Sequence, residues 1–466
     1  MTHPIMRLAK NIIDRGGTPV LVGGRVRDMV MQGLSDPFLL EDGDYDIEVF
    51  GLAPPRLKMA LYDSGYDWDE VGEHFSVLKV RASDIEGTVD VSIPRYETST
   101  GDGHKDFDVM INPELTFEEA SRRRDFTMNA MGWNLADGTL LDPHDGASDA
   151  RSGYILHTSA AFSEDPLRPL RAARFAARFG GMIDPETLGV CGSMSDMAKS
   201  LPSERVWGEL EKALLEGTQV SKFFFYLDTM GWLEILFPEV AALRGVVQDP
   251  GWHPEGDVFT HTMCALDYWA ENLQTGNRED DLVVAAAILC HDFGKVTATA
   301  WNEKKGRITS YGHEEAGAEP ARSLLHRLRQ YELAKEVVPL VENHLAPVYS
   351  YPISSKAVRR LSTKVKRLDL LAIVSRADQA GRPPKDPEDG FYKITQFEEK
   401  VANLDIPQGG PKPLVDGYYL IELGLKPGPY FKKVLDAAYD YQLETGCGVM
   451  EAENFARDFI HYDDLP

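Results

Sequence analysis

The 466-residue chain carries 74 acidic and 49 basic side chains, a net charge of −25, with 43% hydrophobic and 26% charged residues. That length exceeds what one hydrophobic core fills, so two to four domains are expected of an ordinary soluble composition. The best apolar run, Leu282–Cys290, is nine residues long and ends in His291-Asp292, which suits a buried helix and excludes a membrane span.

The amino terminus has no apolar core followed by a small-residue cleavage site, so no secretory signal is read there. Cys191, Cys264, Cys290 and Cys447 are scattered without CxxC spacing. This argues against a disulfide framework and a structural zinc, and a reducing cytoplasm is the simplest location. The acidic balance opposes loose nucleic-acid binding, yet Ser354–Asp369, Arg122–Arg124 and the row Arg168, Arg171, Arg174, Arg178 are locally basic. Composition alone leaves the partner open.

Along the chain, period-two patterning predicts strands at Pro19–Val22, Tyr45–Phe50, Ser76–Ala82, Thr88–Ser92 and Met131–Asn134. Gly23 and Gly24 follow the first strand and would let backbone N–H groups approach a phosphate. Asp44 and Asp46 bracket Tyr45, and on a strand residues i and i+2 share a face, so two carboxylates converge as Mg²⁺ prefers. An Asp-x-Asp pair alone is more often a solvated edge. The order strand, Gly-Gly, acidic strand, then a third strand with Asp90 makes a metal–nucleotide site the better reading, Asp90 joining the same face.

The stretch Pro94–Ala120 is polar, with little periodicity, and reads as a long functional loop. From Asp165 onward the pattern is helical. Asp165-Pro166 reads as an N-cap with proline at the first helical position, Ser203 as a helix start and Gly217 as a stop. Arg168, Arg171 and Arg174 recur every three residues, drifting slowly round one helix face. With Leu167, Leu170, Phe175 and Phe179 buried, that row would face a cleft, where arginine forks match phosphates and base edges, or else plain solvent. Pro/Gly-rich patches near 245–255 and 383–390 mark boundaries, and no internal repeat is evident.

Five segments in order, LVGGRVRD, DGDYDIEVFG, RRRDFTMNAMGWN, DPHDGASDARSGYILHT and EDPLRPLRAARFAARFG, with SERVWGELEKAL after them, resemble the class II (bacterial-type) CCA-adding tRNA nucleotidyltransferase/poly(A) polymerase family. The resemblance implies an α+β fold: a polymerase-β-like nucleotidyltransferase head sheet, then all-α neck, body and tail. It implies that Asp44 and Asp46 ligate Mg²⁺ in catalysis, with Asp90 added to the catalytic set by its strand position, and that Gly24 and Arg27, with Gly23 beside them, hold the phosphates. It further implies that Arg124 positions the nucleotide and that Asp165 and Arg168 read the base edge, Arg171 and Arg174 following on the same helix. Pro94–Ala120 then corresponds to the loop associated with switching from C to A addition.

In the second half, His261, His291-Asp292 and Asp378 occur in the order of the HD phosphohydrolase superfamily, whose four such residues bind a divalent metal. A GKxT-like tail after Asp292, and His313 and His344 between the outer positions, strengthen that resemblance. Mixed imidazole and carboxylate ligation does not separate Ni, Mn, Co or Mg. His253 reads as capping or packing rather than ligating.

These resemblances imply a head at 1–155, a helical neck and body at 156–245, an HD domain at 246–382 and a helical tail at 383–466. They imply a CCA-adding enzyme using ATP, CTP and tRNA, with an HD phosphohydrolase activity and no membrane partner; oligomeric state stays undetermined. A poly(A) polymerase or A-adding enzyme shares nearly every motif, and an HD phosphohydrolase with an RNA-binding head is the competitor from another class. In the tail, GLKPGPYFKKVL reads equally as an RNA-backbone contact or a surface turn.

Overall fold

The computed structural model describes residues 3–40, 43–71, 77–81, 84–85, 87–99, 107–406 and 408–463. The chain divides into two compact units, Met1–Leu236 and Phe237–Pro466.

In the first unit a seven-stranded sheet is built from β1 (Thr18–Val22), β2 (Tyr45–Phe50), β3 (Asp67–Val71), β4 (Val77–Arg81) and β5 (Val89–Ser92). A strand pair β6 (Arg95–Ser99) and β7 (Phe107–Ile111) stands apart, and β8 (Gly132–Asn134) and β9 (Thr139–Leu141) complete the sheet. The order is β3-β4-β5-β2-β1-β8-β9, with β2 and β5 parallel and the other neighbours antiparallel. All five strands read from the sequence are present; Ser76 and Ala82, the expected ends of one, lie outside the described residues, and elsewhere single ends shift by one residue.

The two faces of the sheet differ. Helix α1 (Pro4–Ile13) buries Ile5, Leu8, Ala9 and Ile12, the i, i+3, i+4, i+7 stripe of an amphipathic helix, and helix α3 (Pro54–Asp63) packs beside it. Leu21, Ile47, Val49, Val89 and Val91 are buried. On the alternate positions lie Asp46, Glu48, Asp90 and Ser92, so the pleat itself sorts apolar from acidic side chains. Between β1 and β2, helix α2 (Gly24–Met31) begins directly at the Gly-Gly turn.

The expected long loop is in part ordered: β6 and β7 pair antiparallel over five residues each, and helix α4 (Phe117–Ser121) starts in a Thr116/Glu119 capping box. Residues 100–106 of that stretch lie outside the described residues. After helix α5 (Gly146–Ser152), α6 (Arg168–Phe179) opens the helical part. Asp165 is not its N-cap: the helix starts at Arg168, with Pro169 in its first turn, and the Asp165 carboxylate accepts from Leu167 N at 2.9 Å in a preceding turn. Ser203–Glu216 starts and stops where Ser203 and Gly217 indicated.

The second unit is almost wholly helical. Val258–Asn272, Arg278–Cys290, His313–Arg327, Tyr331–Asn343 and Leu368–Ala380 form its first cluster, joined by a short hairpin of Ala300–Asn302 and Arg307–Thr309. The apolar run ending at Cys290 is a buried helix, Val284–Cys290 being buried throughout. No helix among the described residues is long and apolar enough to cross a membrane. Farther on, Val415, Leu420, Val434, Ala438, Ala452, Ala456 and Ile460 form a separate small core. The basic stretch after Ser354 is largely neutralised: Lys356 and Arg360 pair with Glu444, Arg359 caps the carbonyls of Leu443 and Glu444, and Arg367 forks onto Asp280 at 2.6 and 2.9 Å.

Candidate functional site

On the acidic face of the sheet, Asp46 of β2 and Asp90 of β5 are cross-strand partners, so both side chains leave the same face. Asp90 Oδ1 is buried without a hydrogen-bond partner. Partial desolvation pushes the Asp46 carboxyl above its ordinary value; Arg124 draws it down, and Asp90 and Asp44 push it up again. An orphaned carboxylate oxygen beside a second carboxylate is a donor set that fits a hard divalent cation such as Mg²⁺. Asp44, at the strand entry, is anchored differently, its Oδ1 accepting from Thr88 N at 3.1 Å and Thr88 Oγ1 at 2.6 Å.

The Gly-Gly turn abuts this face. Gly23 has φ +79°, and a Cβ there would lie 3.1 Å from Asp46 Oδ2. The backbone conformation therefore favours glycine, and a side chain there would also crowd Asp46. The amino-terminal turn of α2, with its unsatisfied N–H groups, starts beside the acidic pair. Arg27 folds back instead of reaching outward: it is buried, bonded to Asp28 and to Asn129 Oδ1 (2.9 Å), and lies over the rings of Phe175 and Phe179.

Two residues beyond Asp46, Glu48 is fully buried and holds Arg123 at 2.8 Å and Arg124 at 3.2 Å, which keep its carboxyl below the ordinary value despite burial. Arg124 Nε is buried without a hydrogen-bond partner. Next in sequence, buried Asp125 receives Arg171 Nε at 2.8 Å. A continuous chain of contacts thus runs from the acidic strand through Glu48, Arg124 and Asp125 to helix α6.

The arginine row itself corrects the expectation of an open, cleft-facing ladder. Arg174 is buried against Glu209 at 2.6 Å, and Arg171 reaches both Asp125 and Glu209. Arg178 joins Asp28 at 3.6 Å to Glu216 at 3.3 Å. These arginines brace one helix against its neighbours. Arg168, half-buried, donates to the carbonyls of Ala161 and Arg123, both at 2.7 Å, while Asp165 accepts from Arg205 at 3.4–3.5 Å. Sequence reasoning missed Glu48, Asp125, Glu209 and Arg205. All four lie inside the motifs quoted above, Glu48 in DGDYDIEVFG, Asp125 in RRRDFTMNAMGWN, and Arg205 and Glu209 in SERVWGELEKAL, but nothing in their spacing marked them out.

In the second unit the four expected ligands meet. His261 Nε2 is 3.0 Å from Asp378 Oδ1 and 3.7 Å from Asp292 Oδ2; His291 Nε2 is 3.2 Å from Asp292 Oδ2 and 3.9 Å from Asp378 Oδ1. His313 and His344 close on the other oxygen of Asp292, at 3.3 and 4.0 Å. Asp292 therefore stands between two groups, His261 with His291 and His313 with His344.

Each ring is pre-set. The Nδ1 atoms of His291, His313 and His344 lie 2.7–2.8 Å from the carbonyls of Ile288, Ser310 and Val341, and that of His261 lies 2.9 Å from Gly381 O. A carbonyl accepts only, so Nδ1 bears the proton and Nε2 offers a lone pair. Those lone pairs then face each other at 3.4 Å, in His261–His291 and again in His313–His344. Such facing acceptors are repulsive without a cation between them. The mixed nitrogen and oxygen donor set suits a divalent metal, and the carbonyls supply the outer support such ligands need.

Local sequence places these groups. Asp257 caps the helix of His261, accepting from Thr260 N at 2.9 Å. A Cβ on Gly294 would strike His313 O at 2.0 Å, so only glycine lets the turn after Asp292 approach the His313 helix. Lys295 Nζ lies 2.7 Å from Asp292 Oδ2, and Arg382 grips both oxygens of Asp378 at 2.9 and 3.0 Å. His253 is held by Glu255 at 2.8 Å, the same carboxylate oxygen that touches His261, and burial depresses its pKa to about 4.

Three family models match in order: the poly(A) polymerase head domain over residues 20–156, the probable RNA- and SrmB-binding site of polymerase A over 182–243, and the HD domain over 258–380. The chain is 35% identical to the multifunctional CCA protein of Alkalilimnicola ehrlichii, covering 78% of this chain and 84% of the relative. To that of Pasteurella multocida it is 34% identical, covering 84% and 91%. The chain belongs to the class II CCA-adding enzyme/poly(A) polymerase family with an HD domain. Its fold matches the CCA-adding enzyme of Bacillus stearothermophilus in complex with CTP (TM-score 0.65, 21% identity, 100% and 99% coverage). It also matches the Thermotoga maritima CCA-adding enzyme complexed with tRNA (TM-score 0.59, 19% identity, 98% and 95% coverage).

Proposed function

We propose that this member of the nucleotidyltransferase family adds C, C and A to the 3′ end of tRNA from CTP and ATP, without a nucleic-acid template. The observation that carries the reading is the Asp46–Asp90 pair, with its unpartnered Asp90 Oδ1, set against the Gly23–Gly24 start of α2. Asp44, Asp46 and Asp90 hold Mg²⁺, which when bound supplies charge for the triphosphate and acidifies the attacking hydroxyl. The Gly23 and Gly24 backbone receives the phosphates, Arg27 pins that turn, and Arg124, held by Glu48, helps to position the nucleotide. The RNA 3′-oxygen bonds to the α-phosphorus as the α–β bridge breaks, pyrophosphate leaves, and the hydroxyl proton passes to a carboxylate of this face.

Asp165 supplies an acceptor and Arg168 a donor to the base edge. Arg168 spends two N–H groups on carbonyls and keeps three of its five donors. The four-part division at 155, 245 and 382 belongs to the same reading. So does a cytoplasmic setting, supported by four cysteines that are all free.

The second centre hydrolyses phosphoesters at nucleotide or RNA ends: a water oxygen bonds to phosphorus and the ester oxygen leaves as the alcohol. His261, His291, Asp292 and Asp378, with His313 and His344, hold the divalent metal, and Lys295 and Arg382 balance the carboxylates. The poly(A) alternative is separated by one experiment. A tRNA lacking its 3′ end is given CTP alone, ATP alone, or both. Growth by two, by none and by three nucleotides respectively supports CCA addition, whereas long adenylate tails overturn it.

A further inference from the structure

Beside the His-Asp cluster lies a cavity of about 470 Å³, lined among others by Trp252, Asp292, Lys295, Lys305, Arg307 and His313. That volume falls in the range of small-molecule sites, about 300–1,000 Å³, and is more than a lone phosphate needs. Trp252 is 48% exposed at this cavity, although tryptophan is highly buried on average. Its backbone is fixed by a turn in which Trp252 N and His253 N both donate to Asp249 O, at 3.0 and 2.9 Å. One residue on, His253 is tied through Glu255 to the ligand His261. The ring is thus held at a set place relative to the cluster, yet the hydrolysis described above gives it no task.

Cations gather on the same ring. Lys385 Nζ lies 4.2 Å from its centroid and the Arg307 guanidinium 5.9 Å. Arg307 comes from the hairpin and Lys385 from the segment just after Arg382, which is itself bonded to Asp378. Lys305, from the hairpin tip, bonds to Tyr311 OH. Trp252 and the hairpin cations Lys305 and Arg307 thus bring an aromatic plane and positive charge to the cavity lining, and Lys385 adds charge on the same ring, in a chain whose net charge is −25. An aromatic face with flanking cations is the arrangement that stacks a base and pairs with its backbone phosphate.

We infer that Trp252 is the base platform of the hydrolytic centre, so that this centre selects phosphoesters attached to a nucleoside over small phosphate esters. Its phosphate end lies at the His-Asp cluster, its base stacks on Trp252, and Arg307 and Lys385 serve the adjoining backbone. The inference rests on the hydrolytic reading proposed above.

The test measures binding of cytidine 3′-phosphate and of inorganic phosphate to the full metal-loaded chain by titration calorimetry. Only the component lost in His291→Ala is counted, which sets aside any nucleotide held elsewhere. Base–aromatic stacking of about 1–3 kcal/mol predicts that Trp252→Ala weakens cytidine 3′-phosphate by roughly 5- to 150-fold. Phosphate affinity stays within twofold, and Trp252→Phe restores most of the nucleotide affinity. The same split is expected in KM for a nucleoside 2′,3′-cyclic phosphate against p-nitrophenyl phosphate. Equal losses for both ligands mean a structural role and overturn the inference, as does unchanged nucleotide affinity in Trp252→Ala. If no ligand shows a component sensitive to His291→Ala, the hydrolytic reading falls with it, an outcome distinct from either.

Discussion

The two centres of this chain prepare for metal in opposite ways. On the head sheet the donors are carboxylates on a pleated face, with Asp90 Oδ1 left without a hydrogen-bond partner. In the second unit the donors are buried, and the four histidines already have their tautomers set by backbone carbonyls. An oxygen-only site that leaves positions open suits a cation arriving with a triphosphate, since Mg²⁺ keeps part of its shell for substrate. A nitrogen and oxygen site whose ligands are oriented beforehand suits a resident ion. On the proposed reading, one centre is completed by its substrate, whereas the ligand rings of the other are set beforehand.

That contrast breaks most sharply if either centre depends on the other. Asp90→Ala, which removes the unpartnered acceptor, should lower nucleotide addition by about a thousandfold or more, on the scale of losing a group that stabilises transition-state charge. Phosphoester hydrolysis and tRNA binding should persist, measured by product release and filter binding. Loss of tRNA binding as well would point to a disturbed sheet. In the converse experiment, Asp292→Asn weakens the one carboxylate shared by both histidine pairs. Bound-metal stoichiometry, by elemental analysis, should drop along with hydrolysis, while nucleotide addition stays near that of the unaltered chain.

Acid should sharpen the same difference. His261 and His313 are pushed down by burial, but hydrogen bonds to Asp378 and Glu255 and to Asp292 outweigh it, so both pKa values are raised above the ordinary 6.5. Protonated imidazole cannot ligate, so metal binding is complete only above these raised values and weakens as pH falls through them. Affinity for Mn²⁺ should fall by about tenfold per pH unit for each proton taken up, starting nearer neutrality than free histidine would set. A flat affinity between pH 8 and 6 would show that the ion, not the proton, already controls these rings.

How far each centre was legible follows from where its partners sit. The apolar run ending in His291-Asp292 announces a buried helix delivering two ligands, and β-branched alternation around Asp46 and Asp90 announces two strands. Register between those strands could not be read, because it depends on Thr88 and Asp44 meeting across 44 residues. The arginine row was misjudged for a related reason. Spacing by three fixes which side chains share a helix face, but not whether that face meets solvent or a buried acid. Glu209, 35 residues after Arg174, decides it. His313 and His344 looked like supporting hints, and only the fold shows them on the second oxygen of Asp292.

The smallest expected effect concerns base choice, where the head differs again from the second centre. Asp165 spends one carboxylate oxygen on Leu167 N and leans on Arg205, so its acceptor is positioned yet only loosely held. Asp165→Ala should relax discrimination against UTP and GTP by roughly ten- to a hundredfold, the scale of one hydrogen bond to a charged group. Overall addition should fall less than in Asp90→Ala. Arg205→Ala, which leaves Asp165 in place but unsteadied, should give a milder loss of the same selectivity. If Arg205→Ala instead lowers addition of every nucleotide alike, Arg205 braces the helix and has no share in choosing the base. Single-turnover incorporation of each of the four nucleotides separates the two, because a bracing defect scales all four rates together and a base-reading defect changes their ratios.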